Sequence, residues 1–147
     1  MTSFKRISIL ALALALFAVG SMFAATQSDI TTGVQTLTSA GAATGTLDTS
    51  ALTGDYTIKV QVTALTAGPA RVCVEDTANA TAFSDKTPVF CFDVNAGTIP
   101  GSGITQSVRA YQVPATRFGA TNTKLRVYVY TLSGSSPSIS VHGWLEQ

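Results

Sequence analysis

Past residue 25 the chain shows no helical periodicity; apolar and polar side chains instead alternate in short runs, each closed by Gly, Pro, Ser or Asn. The cleanest run is 56–63. Its apolar row is Tyr56, Ile58, Val60 and Val62, and its polar row is Thr57, Lys59, Gln61 and Thr63. That is the pattern of a strand buried on one face. Further runs cover 71–75, 89–93, 105–113, 124–131 and 138–146, and Gly33 to Thr38 can form a short edge strand. About seven or eight short strands with turn residues between them predict an all-β sandwich. A jelly roll is the expected topology because several loops exceed hairpin length, and an immunoglobulin-like sandwich is the alternative. The strand pattern broadly resembles jelly-roll modules of bacterial and viral surfaces; no motif marks a family, and no residue role is carried over.

Two registers follow from the alternation. If 71–75 pairs antiparallel with 89–93 so that Cys73 opposes Cys91, Val72 faces Phe92, Val74 faces Phe90, and Arg71 meets Asp93. A slip by one residue would put valines on the polar face. The same register predicts a Cys73–Cys91 disulfide, closing a loop of about 18 residues and stabilising the fold by about 3 kcal/mol. At the C-terminal end, 124–131 and 138–146 are expected to form a second hairpin across Ser133-Gly134-Ser135-Ser136-Pro137. With Val129 opposite Val141, Leu125 meets Leu145 and Val127 meets Gly143. The outer row then places Arg126 across from Trp144, Tyr128 from His142, Tyr130 from Ser140, and Lys124 from Glu146.

The N-terminus changes the picture of where the protein works. Lys5 and Arg6 precede the apolar run Ile7 to Gly20, which predicts a hydrophobic helix to about Ala25. Residues 1–25 are a signal peptide or, if uncleaved, a membrane anchor. Residues 26–46, rich in Thr, Ser, Ala and Gly, have the composition of a linker or arm. The sandwich domain is expected over 47–147. The body is therefore secreted, periplasmic or at the cell surface, where a disulfide is at home. Of 9 basic residues, two lie in the leader, leaving seven scattered ones against 8 acidic. Nucleic-acid binding, which needs clustered cations, is disfavoured. Membrane contact is expected only through the N-terminal segment.

Candidate chemistry is sparse. His142 is the lone histidine and has no sequence neighbours to complete a triad; one His and two separated Cys lack zinc-ligand spacing. Glu75 and Asp93 are candidate paired carboxylates, although Arg71 already accounts for Asp93. Asp76, Asn79 and Asp85 share a loop that could offer oxygens to calcium but has no fixed-spacing signature. Asn79-Ala80-Thr81 matches a glycosylation sequon. The expectation is a non-enzyme without cofactor or metal. Its function is structural or protein-interacting, including self-association. The alternative is a carbohydrate- or surface-ligand-binding module. Either would use the aromatic row Arg126, Tyr128, Tyr130, His142 and Trp144.

Overall fold

The computed structural model describes residues 26–52, 54–77, 83, 87–95, 107–114 and 124–147. The expected N-terminal helix, the signal-or-anchor segment, the sequon, and Asn79 and Asp85 of the candidate calcium loop lie outside them. Among the described residues the structure is all-β. Its strands are β1 (Gln27–Asp29), β2 (Gln35–Leu37), β3 (Gly41–Ala42), β4 (Leu47–Asp48), β5 (Tyr56–Leu65), β6 (Pro69–Asp76), β7 (Thr87–Asn95), β8 (Ser107–Val113), β9 (Lys124–Leu132) and β10 (Ile139–Glu146). Two antiparallel sheets pack face to face as a sandwich. Sheet A runs β1-β10-β5-β8, with β2 also on β10; sheet B runs β3-β9-β6-β7, with β4 also on β9.

The alternation seen in the sequence decides what lies between the layers. Ile58, Val60 and Val62 of β5, with Ile139, Val141 and Leu145 of β10 beside them, face Val72 and Val74 of β6 and Leu125, Val127 and Val129 of β9 in one buried core. The β6–β7 hairpin has the expected register: Arg71↔Asp93, Val72↔Phe92, Cys73↔Cys91 and Val74↔Phe90. Cys73 and Cys91 are joined by a disulfide. The Arg71–Asp93 pair closes to 3.7 Å with both side chains more than half exposed, so it contributes little to stability.

The second expected hairpin does not form. β9 pairs with β6 and β10 pairs with β5, in opposite sheets. The inward rows nonetheless lie on the face that alternation predicts. A Cβ added to Gly143 would lie 2.5 Å from Val127 Cγ2, so these two residues meet across the sandwich rather than along one sheet. The 133–138 connection is an arch between sheets, and it lies beside a second arch, 66–68, between β5 and β6. Thr66 N donates to Ser138 O (3.0 Å) and Ser138 N to Thr66 Oγ1 (2.8 Å), while Ser133 Oγ donates to Pro69 O (3.1 Å). The long loop after β6 makes the in-sheet hairpin, whereas these short connections cross. The long connections from β7 to β8 and from β8 to β9 do change sheet, as expected, but loop length alone does not separate crossings from hairpins.

Residues 26–46 also depart from the expected spacer. They run down the edge of sheet A and return along the edge of sheet B. Between Asp29↔Trp144 and Gln35↔Val141, residues 30–34 bulge from the ladder. A second bulge, 43–46, separates β3 from β4 on β9. The bulges turn Ile30 and Ala43 into the core and hydrogen-bond to each other through Thr32 N and Thr44 O (2.9 Å). Gly45 permits this approach: its φ is +116°, and an added Cβ would stand 2.7 Å from Thr32 N. Thr31 locks the first bulge, its N donating to Gly143 O and its Oγ1 accepting from Gly143 N. The short edge strand expected within 33–38 is β2, but period-two reading misses the rest of the segment because each bulge resets the alternation.

Candidate functional site

Because β9 and β10 lie in different sheets, the expected aromatic row divides. Arg126, Tyr128 and Tyr130 are on the outer face of sheet B, while His142 and Trp144 are on the outer face of sheet A, on the far side of the molecule. Arg126 is not across from Trp144, and Tyr128 is not across from His142.

On sheet B, β6 and β9 build a tight polar cluster around Glu75, which is fully buried although it points away from the core. Arg126 Nε donates to Glu75 Oε2 at 2.7 Å, and Tyr130 OH donates to Glu75 Oε1. The guanidinium lies 4.2 Å from the Phe83 ring centre and 4.9 Å from that of Tyr128, and Tyr128 packs on Tyr130 at 5.1 Å. Arg126 is thus held by one carboxylate and two rings. The hydrogen bond to Glu75, then burial and the carboxylate's charge, push the Tyr130 hydroxyl up to about 12. Glu75 was a candidate for paired-carboxylate chemistry; here it organises a structural network with Arg126. Phe83 was missed because a lone aromatic in a polar loop carries no periodic signal.

On sheet A, Trp144 Nε1 donates to Glu146 Oε1 at 2.8 Å, and Lys59 forms an ion pair with the same carboxylate. The bonds from Lys59 and Trp144 hold the Glu146 carboxyl below its usual range. The His142 ring lies 5.0 Å from that of Trp144, and Nε2 sits 3.3 Å from Asp29 Oδ1, near enough for attraction but without hydrogen-bond geometry. This face is tied together by its own side chains.

A third region went unnoticed in the sequence. β7 and β8 are the edge strands of the two sheets on the side away from residues 26–46. Tyr111 of β8 stacks on Phe90 of β7 at 5.2 Å, and Phe90 on Phe92 at 6.2 Å, forming an aromatic ladder between the layers. Val108 and Tyr111 are each 42% exposed. Pairing with Ile58 turns Tyr111 to the inner side of its sheet, and its edge position leaves it exposed.

No protein-family model matches the chain, and no curated protein matches it. Among solved structures it is similar to a chain in the structure of infectious bursal disease virus, Gx strain, at 18% identity and a TM-score of 0.33. The match covers 83% of this chain and 28% of that one, so the chain spans less than a third of that protein's length. At that TM-score the likeness carries no conclusion about function.

Proposed function

We propose that the chain is an exported, non-catalytic jelly-roll sandwich serving as a surface structural or protein-interaction module through its β7–β8 side. Counting β1 with β2 and β3 with β4 as broken single strands reduces ten to eight, in the orders 1-8-3-6 and 2-7-4-5. Such interleaving supports the jelly-roll reading. The Cys73–Cys91 disulfide is consistent with an oxidising compartment.

The observation that carries the interaction reading is where the exposed apolar surface lies. Of the large apolar side chains exposed among the described residues, Val34, Val108 and Tyr111, two belong to β8. There Tyr111 adjoins the Phe90–Phe92 ladder, and Val108, opposite Gln61, stands on the outer face of the same edge strand. A Val108→Ser/Tyr111→Ser double variant should lose self-association or partner binding while keeping its circular-dichroism spectrum. The other reading, a glycan or similar ligand on sheet B, is favoured by the Tyr128–Tyr130 pair beside Arg126. If the double variant assembles normally while Tyr128→Ala abolishes glycan binding, the interaction reading fails and the glycan reading replaces it.

A further inference from the structure

A sandwich of two open sheets has four edges, and these four are treated differently. The edge formed by β1 and β2 is interrupted by the 30–34 bulge, and that formed by β3 and β4 consists of two-residue strands separated by another. β7 carries Pro88, which has no N–H to offer a neighbour, and its register with β6 shifts between Val74 and Glu75. All three are blunted by devices that keep sheet edges from recruiting further strands. β8 has neither bulge nor proline. Its seven residues pair with β5 from Val113 to Ser107 without a register shift, and residues 108–112 are exposed.

We propose that β8 is a homodimerisation strand, pairing antiparallel with β8 of a second copy about a two-fold axis through Ala110. This rests on the reading that the β7–β8 side is the interaction surface, and it names the partner. A two-fold axis normal to a continuous antiparallel sheet must pass through a residue position, because directly opposed side chains share a face. An axis at Arg109 would oppose two arginines, and one at Tyr111 would shorten the ladder. The axis at Ala110 uses all seven residues. It sets Arg109 against the partner's Tyr111 twice, a cation–aromatic pairing, and Val108 against the partner's Gln112. Arg109 and Tyr111 share the face that their β5 partners Val60 and Ile58 turn inward, so the new pairs extend the aromatic ladder at Phe90. Small, exposed Ala110 lets the two backbones meet at the axis.

The test uses the full chain purified in mild detergent and followed by sedimentation velocity across a dilution series. A reversible monomer–dimer equilibrium is expected. Ala110→Lys places like charges at the axis and should raise the dimer Kd by roughly tenfold or more without altering the circular-dichroism spectrum. Ala110→Cys should give a disulfide-linked dimer under mild oxidation, whereas Val34→Cys, at an exposed site on the opposite side, should not. A chain that stays monomeric throughout, a dimer indifferent to Ala110→Lys, or cross-linking through position 34 and not 110 overturns the proposal. If Val108→Ser/Tyr111→Ser abolishes binding to a different protein while the chain is monomeric, the interaction reading stands and the homodimer falls.

Discussion

The two sides of this sandwich solve the same problem in different ways. On one side residues 26–46 lie across both sheet edges, and their bulges send Ile30 and Ala43 into the core and clasp each other through Thr32 and Thr44. On the other side β7 and β8 have no such strap among the described residues; a stack of Phe90, Phe92 and Tyr111 bridges the layers instead. The first side commits Ile30 and Ala43 to the fold and exposes Val34 alone, away from any ring stack. The second leaves Val108 and Tyr111 partly in water. Stability is therefore expected to concentrate where the edges are covered, and recognition where they are not.

The strongest way to break this contrast is to remove the strap. A chain beginning at Leu47 loses Ile30, Thr31 and Ala43 and bares the edges of β9 and β10. It should lose a cooperative thermal transition altogether, a loss above about 5 kcal/mol, on the order of a small domain's whole stability. Retention of a sharp transition would return 26–46 to the status of a spacer. A milder cut at the same place is Ile30→Ala, which should lower the unfolding free energy by about 2–5 kcal/mol in a denaturant titration.

The disulfide sharpens the comparison on the other side, since it ties edge strand β7 to β6 where, among the described residues, no further strand supports it. Replacing both cysteines by serine should cost about 3 kcal/mol and raise amide exchange first in β7. Tyr111→Ser gives up a ring stack at a half-open site and should cost only about 1 kcal/mol. A loss as large as that for Ile30→Ala would show that both sides bear the fold equally.

The smallest expected effect lies between the two sides, on the outer face of sheet B. The Tyr130 hydroxyl rises from 10.0 to about 12 in the folded protein. Its contribution is thus fully present below the unfolded value and is lost as pH rises through the folded one. An ultraviolet phenolate titration should show one late-ionising tyrosine that disappears in Tyr130→Phe. The variant's stability should also fall less than the parent's between those two pH values.

How much was legible in advance can be judged from the two hairpins expected at the outset. For β6–β7 the chain carried several independent markers on one register: a valine–phenylalanine face, the Arg71–Asp93 pair and the two cysteines. Each excluded a slip, so strand, face and partner could be read together. For β9 and β10 alternation gave the inward rows Leu125, Val127, Val129 and Ile139, Val141, Leu145 correctly. It gave the wrong neighbours, because period two states which way a side chain points and not which strand lies beside it. Val127 and Gly143 are complementary whether they meet along one sheet or across two, and the tertiary structure chose the second.

The candidate row divides for that reason. Arg126, Tyr128 and Tyr130 do share a face, and so do His142 and Trp144, but the arches at 66–68 and 133–138 put the two groups on opposite sides of the molecule. Apart from the edge strand within 33–38, the strap was hidden because bulges erase alternation, and the exposure of Tyr111 because an inward position at a sheet edge is only half covered. Local chemistry along the chain was enough to specify strands, faces and one covalent register. Which sheet each strand joined, which edges were covered and which aromatic groups met solvent depended on contacts between residues more than a hundred positions apart, and these exist only once the two layers close on one core.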